Sequence, residues 1–114
     1  MKEKKNRPFN VRLEDELATA VQQLSHQSKL TVGEIIRLCV DRELAAAETL
    51  KRLSWKKKSR QFNLLFADGQ VRKLLELSRH TGLSQAELVR QCLARQLKKI
   101  RRHGGIKIHI KLDD

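Results

Sequence analysis

Cysteine is scarce in this sequence, and so are proline and the aromatic residues. The 114 residues include two cysteines, one proline, one tryptophan and no tyrosine. Cys39 and Cys92 are too few for a disulfide framework, and they do not have the C-x-x-C spacing of a zinc site. The four histidines show no ligand spacing on a shared face. We therefore predict two reduced thiols that pack in the core, with no metal and no cofactor.

Long hydrophobic runs are also missing. No stretch of about eighteen apolar residues is present, and the basic start MKEKKNR is not followed by the apolar segment of a signal peptide. The sequence also shows no nucleophile with its base, no paired catalytic carboxylates and no glycine-rich phosphate loop. These absences predict a cytoplasmic protein that has no membrane partner and is not an enzyme.

Positive charge, by contrast, is abundant. The 25 Lys and Arg residues outnumber the 13 Asp and Glu residues, which gives a formal net charge of +12. Such an excess attracts polyanions, and basic runs add attraction to DNA through counterion release, whatever the base sequence. Nucleic acid is therefore the first partner to consider. A nucleic-acid partner favours a nucleoid-associated location within the cytoplasm.

The chain contains an internal repeat. Residues 7–44 align with residues 60–97 without a gap, and about a third of the aligned pairs are identical. The identical pairs include Phe9 and Phe62, Asn10 and Asn63, Asp15 and Asp68, Leu30 and Leu83, Glu34 and Glu87, Arg37 and Arg90, and Cys39 and Cys92. The chain is therefore a duplicated unit of about forty residues.

Each copy begins with apolar and polar residues in alternation. The apolar positions are Phe9, Val11 and Leu13 in the first copy, and Phe62, Leu64 and Phe66 in the second. A period of two is typical of a strand with one apolar face. A single such strand leaves its edges unpaired and its apolar face uncovered, so each copy needs a partner strand.

Two helices should follow each strand. Asp15 and Asp68 stand where the first helices begin, and Lys29 and Gly82 stand where they end. The second helices should begin at capping boxes, which are Thr31 with Glu34 and Ser84 with Glu87. The predicted order of elements is therefore strand, helix and helix, twice.

With matched strands and matched capping boxes, the chain resembles the ribbon-helix-helix family of DNA-binding proteins, the class of the Arc and MetJ repressors. The resemblance implies a fold that is mainly α with short β, in which two strand-helix-helix units form a two-stranded antiparallel ribbon on four helices. It divides the chain into a first unit (residues 1–50), a basic linker (51–59), a second unit (60–103) and a strand-like tail (104–114). Pairing within one chain and pairing between chains both stay open, the latter with self-association through strands, helices or the tail.

The resemblance also implies that the ribbon enters the major groove of double-stranded DNA with its polar side facing the bases. The base-reading positions would be Asn10, Arg12, Gln61, Asn63 and Leu65. Asparagine and glutamine suit adenine, arginine suits guanine, and Leu65 offers only apolar contact to a thymine methyl group. The alternative is that these residues form the solvated side of a half-exposed strand.

In this family the N-terminus of the second helix binds phosphate through backbone N–H groups, where the helix dipole favours an anion. The corresponding residues are Thr31, Val32 and Gly33 and, in the second copy, Ser84, Gln85 and Ala86. Arg60 and Lys57, from the basic run before the second strand, are added to these phosphate-binding positions. We expect Arg37, Arg90, Arg42 and Arg95 to face water, with phosphate contact as the alternative. We expect Trp55 to pack against the core, with stacking on a base as the alternative.

The function that follows is sequence-specific binding of double-stranded DNA by a transcriptional regulator, most simply a repressor. One alternative is an accessory DNA-binding factor for plasmid or viral transfer, partition or packaging. Another is an antitoxin-like interaction module whose tail, from Gly104 to Asp114, binds a partner protein. Residue types do not separate a regulator from an accessory factor, because that difference depends on where the DNA site lies.

Overall fold

The computed structural model describes residues 5–44 and 53–102 of the chain. Its elements are β1 (Lys5–Leu13), α1 (Asp15–Ser28), α2 (Val32–Glu43), β2 (Arg60–Ala67), α3 (Asp68–Thr81) and α4 (Gln85–Arg102). The described part is therefore mainly helical, and the predicted order of strand, helix and helix, twice, is confirmed. The strand-like tail predicted for residues 104–114 lies outside the described residues.

The two strands pair with each other in antiparallel orientation and form a two-stranded sheet. Asn10 faces Asn63 at the middle of the ladder. These two residues are equivalent in the repeat, so the register relates the two halves by an approximate two-fold axis that passes between them. The pairing takes place within one chain, which was one of the two arrangements left open by the sequence.

The alternation in each strand separates an apolar face from a polar one. Val11, Leu13, Leu64 and Phe66 are buried against the helices, and the rings of Phe9 and Phe66 meet edge to face at 5.1 Å. Because cross-strand partners share a face, these side chains form one apolar layer from both strands. Burial of that layer explains why each strand requires the other.

The first helix of each unit ends as the sequence predicted. Lys29, with φ of 65°, and Gly82, with φ of 77°, both adopt the left-handed conformation that terminates a helix. The helix starts are confirmed as well. Asp15 and Asp68 are the first helical residues, where their negative charge is favourable to the helix dipole.

The start of α2 is the predicted capping box. The Thr31 hydroxyl accepts from the Glu34 N–H at 3.1 Å, and Glu34 Oε1 accepts from the Thr31 N–H at 3.0 Å. At the start of α4 the Ser84 hydroxyl likewise accepts from the Glu87 N–H, at 3.0 Å. The Glu87 carboxylate, however, accepts from Trp55 and other side chains instead of closing the box. The second predicted box is therefore formed only on the serine side.

The helices α2 and α4 pack together in the core. Their cysteines, Cys39 and Cys92, are buried and free, which confirms their predicted packing role. Burial raises the pKa of each thiol to about 12, so both stay protonated near neutral pH. Glu43 of α2 is buried at the same contact, where α4 supplies its partners Arg95 and Lys99.

Candidate nucleic-acid interface

The sheet presents one polar side to solvent. We name this side the outward face, and it consists of Pro8, Asn10, Arg12, Gln61, Asn63 and Leu65, all of them exposed. The face therefore includes every residue predicted to read bases, together with Pro8. Leu65 is 45% exposed although it is apolar, so the helices do not cover it.

The ladder arranges the outward face as three cross-strand pairs. Asn10 faces Asn63 in the middle, while the end pairs are Arg12 with Gln61 and Pro8 with Leu65. Facing Cα atoms in an antiparallel sheet are about 5 Å apart, and the two end pairs are separated by roughly 14 Å of strand. Gln61 Nε2 also donates to Asn63 Oδ1 at 3.2 Å, which orients the Asn63 amide. The face is thus a compact row of side chains on a rigid backbone.

Each outer edge of the sheet is fixed by an arginine from the other half of the chain. Arg37 of α2 donates through Nη1 to the Leu65 carbonyl at 2.8 Å, and Arg90 of α4 donates through Nη1 to the Arg12 carbonyl at 3.1 Å. Both bonds satisfy acceptors that an edge strand would otherwise leave to solvent. The predicted exposure to water is wrong for Arg90, which is buried, and Arg37 is half-buried. Their identity in both copies was the only sequence signal.

The predicted phosphate-binding helix starts lie beside those edges. The start of α2 closely approaches β2, since a Cβ at Gly33 would lie 3.4 Å from that of Leu64. Thr31 is exposed, and Val32 and Gly33 are half-buried. In the second half, Ser84 is exposed while Gln85 and Ala86 are half-buried. N–H groups in a first helical turn have no partner one turn earlier, so both helix starts suit an anion.

The basic residues before β2 are held in place by the acidic start of α1. The Lys56 N–H donates to Glu14 Oε2 at 2.9 Å, and the Ser59 hydroxyl donates to Asp15 at 3.2 Å. Lys57 between them is exposed, as is Arg60, which donates through Nη2 to Gln22 at 3.2 Å. The predicted phosphate-binding residue Lys57 therefore projects from a segment that is bound on both sides, and the predicted phosphate-binding residue Arg60 is the first residue of β2. The sequence alone predicted only a basic linker here.

Trp55 connects this segment to α4. Its Nε1 donates to both oxygens of the Glu87 carboxylate, at 2.8 and 3.0 Å, and its ring is half-buried against the core. The predicted packing of Trp55 is confirmed. Glu87 also accepts from Gln91 at 2.9 Å and pairs with Arg90 at 3.2 Å. Trp55, Glu87 and Arg90 thus form a chain of contacts that ends at the Arg12 carbonyl.

The electrostatics of Glu87 follow from these contacts. Burial by itself raises the pKa of the carboxyl group, but hydrogen bonds from Gln91, the Leu53 backbone, Trp55 and Arg90 outweigh that effect. The pKa therefore lies below its ordinary value, and Glu87 is ionised at neutral pH. An ionised Glu87 keeps the Arg90 guanidinium paired beneath the sheet edge.

Two further findings concern the part of the chain that the structure describes. It contains no cluster of three or more His, Cys, Asp or Glu side chains able to hold a metal ion. None of its helices combines the length and the hydropathy needed to cross a membrane.

No protein-family model, curated protein or solved structure matches this chain. Its function is therefore inferred from the outward face and the residues around it.

Proposed function

We propose that the chain is a ribbon-helix-helix protein that binds double-stranded DNA in a sequence-specific manner and regulates transcription, most simply as a repressor. The observation that carries the proposal is the register of the sheet. It brings together, on one exposed side, polar residues of the two copies that lie about fifty positions apart in the sequence: Asn10, Arg12, Gln61 and Asn63. In this proposal the sheet enters the major groove, which admits a two-stranded ribbon.

The base contacts follow from the chemistry of each side chain. Asn10, Asn63 and Gln61 each carry an amide that can pair with adenine through one donor and one acceptor, and the Arg12 guanidinium can pair with guanine in the same bidentate manner. Leu65 can contact a thymine methyl group. Each good bidentate pair contributes roughly 1–3 kcal/mol of discrimination against the wrong base.

Phosphate contacts would hold the ribbon at its depth in the groove. The starts of α2 and α4 flank opposite edges of the sheet, where their N–H groups can bind the backbone on either side of the groove. Lys57 and Arg60 add charge beside one of these edges. The net charge of +12 supplies the attraction that brings the protein to any duplex before sequence is read.

In this proposal, binding of the protein to the operator is sufficient for repression. A protein that binds an operator with discrimination of several kcal/mol over random DNA excludes other proteins from the same stretch of duplex. The outward face supplies that discrimination, and the basic residues supply affinity that is common to all duplexes.

The test is a selection of preferred duplexes from a random library, repeated at several salt concentrations. We expect a defined sequence to emerge, with an affinity for it that survives salt better than the affinity for random DNA. Binding that keeps no sequence preference and disappears at moderate salt would reduce the protein to a basic DNA coat and would refute the proposal.

A further inference from the structure

We infer that the protein binds its DNA in one fixed orientation, with a non-palindromic site, because the two ends of the outward face differ in chemistry. This inference rests on the proposed function and adds the layout of the site. The end formed by Arg12 and Gln61 is polar, and the end formed by Pro8 and Leu65 is apolar. We name them the polar end and the apolar end.

The asymmetry lies in side chains alone, since the backbone frame is nearly symmetric. In the repeat Gln61 is the equivalent of Pro8, and Leu65 is the equivalent of Arg12. The register places Arg12 opposite Gln61, which are both polar, and Pro8 opposite Leu65, which are both apolar. The supports at the edges, Arg37 and Arg90, are equivalent and make equivalent bonds. The outward face is therefore chemically asymmetric although the backbone beneath it is nearly symmetric.

Each end favours a different base composition. The guanidinium of Arg12 and the amide of Gln61 match the hydrogen-bonding edges of guanine and adenine. Pro8 and Leu65 have no side-chain donor or acceptor, so guanine or cytosine beside them would lose hydrogen bonds to water without replacement. Thymine, with its C5 methyl group, suits them best. The two ends lie about 14 Å apart, which corresponds to about four base-pair steps.

The polar end also has the firmer support. The carbonyl of Arg12 is bound by Arg90, which is only 6% exposed and is paired with the buried Glu87. Trp55 anchors Glu87 in turn. The backbone that carries Arg12 is therefore fixed by a network of buried charges, and a preorganised arginine gains more from correct pairing than a mobile one.

The first experiment compares three duplexes that are derived from the selected site: the site itself, a palindrome of the half that contacts the polar end, and a palindrome of the other half. The wild-type protein should bind the selected site tighter than either palindrome, by a factor on the order of ten to a hundred. Equal binding to the polar-half palindrome would overturn the inference while leaving the proposed function in place. A failure to prefer any duplex over random DNA would instead refute the proposed function.

A double variant provides the converse test. Pro8→Gln combined with Leu65→Arg gives the two strands the same reading residues, and both positions are exposed. This variant should prefer the polar-half palindrome over the original site, by about tenfold. Leu75→Arg is the matched control, because Leu75 is a 37% exposed leucine on α3, away from the outward face. It adds the same charge and should keep the wild-type order of preference.

A cleavage experiment tests the orientation without changing the outward face. An iron chelate attached to Lys58→Cys, an exposed linker position, generates radicals that cut nearby DNA. The native thiols do not compete, because burial raises the pKa of Cys39 and Cys92 to about 12. If the protein binds in one orientation, the DNA should be cut on only one side of the selected site. Equal cutting on both sides would overturn the inference, even if the double variant failed to fold.

Discussion

Equivalent residues of the two copies make different contacts in several places. Glu34 closes a capping box with Thr31, whereas Glu87 accepts from Trp55 and Gln91 and pairs with Arg90. The first role is local and could be predicted from a spacing of three residues. The second depends on Trp55, which is 32 residues away along the chain. No periodicity reveals such a partner, so the sequence predicted a capping role for Glu87 and not its contact with Trp55.

The outward asparagines give the most direct prediction at this scale. Under the proposed function, Asn10→Ala and Asn63→Ala should each weaken binding to the selected duplex by about 1–3 kcal/mol, because each would remove a bidentate contact to one base. Binding to random DNA should change little. Lys57→Ala is the control, since a lost phosphate contact should weaken both duplexes alike and reduce the salt dependence. Titrations monitored by fluorescence anisotropy measure all of these affinities, and equal losses on both duplexes for the asparagine variants would contradict base reading.

The bond from Trp55 to Glu87 should contribute measurably to stability. Trp55→Phe keeps an aromatic ring but removes the Nε1 donor from an ionised and buried carboxylate. We expect the free energy of unfolding to fall by about 1–2 kcal/mol, since hydrogen bonds to charged groups are stronger than neutral ones. Urea denaturation followed by circular dichroism is suitable because the only tryptophan is lost. Lys58→Ala, at an exposed neighbour, should leave the stability unchanged.

At the scale of elements, the sequence predicted what depends on local pattern. The strands follow from alternation, and the ends of α1 and α3 follow from residues that tolerate the left-handed conformation. The segment before β2 was predicted only as a basic linker, and it is exposed but also bound to Glu14 and Asp15 at the start of α1. Its partners are more than forty residues away, and a run of lysines looks the same whether it is free or bound. All predicted base-reading positions share one face because alternate residues of a strand point to the same side and the register places these positions of the two strands opposite each other.

The two edge arginines allow a matched comparison. Arg37 and Arg90 bind equivalent carbonyls, but only Arg90 is buried and paired with a buried carboxylate, Glu87. Arg90→Ala should therefore lower the free energy of unfolding by about 3 kcal/mol, because it leaves a buried charge without its cation. Arg37→Ala should cost about 1 kcal/mol, the value of one hydrogen bond. Chemical denaturation of both variants measures the two free energies of unfolding. Equal decreases for both variants would show that burial of the ion pair between Arg90 and Glu87 does not contribute.

The contact between α2 and α4 should make stability depend on pH. Burial raises the pKa of Glu43, but hydrogen bonds from Lys99, Gln96 and Arg95 outweigh it and leave the pKa below its ordinary value. The unfolded chain then binds a proton at higher pH than the folded one, so this stability is present above about pH 5 and is lost as the pH falls through the folded pKa.

Glu43→Gln removes that dependence and places in α2 the residue that α4 carries at the equivalent position, Gln96. The variant should be less stable than the wild type by about 1–2 kcal/mol at pH 7, and the difference should shrink towards pH 3. Urea unfolding at a series of pH values measures both curves. A difference that stays constant over this range would mean that the charge of Glu43 does not matter.

On the scale of the whole molecule, the two halves are interlocked. The helix α2 supports β2, and α4 supports β1, so each strand is held by the other half of the chain. The apolar layer under the sheet and the contact between α2 and α4 also draw on both halves. Neither half has a complete core of its own, because each strand must pair to cover its apolar face. The described part of the chain should thus fold as one cooperative unit.

This arrangement predicts unfolding that does not depend on protein concentration. A ribbon assembled from two chains gains stability as the concentration rises, because association contributes to its free energy of folding. Here both strands belong to one chain, so the midpoint of a urea transition should be the same at about 1 µM and about 100 µM protein. The same interlocking predicts one chain per selected duplex, which analytical ultracentrifugation of the complex measures directly. A midpoint that rises with concentration, together with two chains on each duplex, would mean that strands pair between chains. In that case the outward face would be symmetric and not asymmetric.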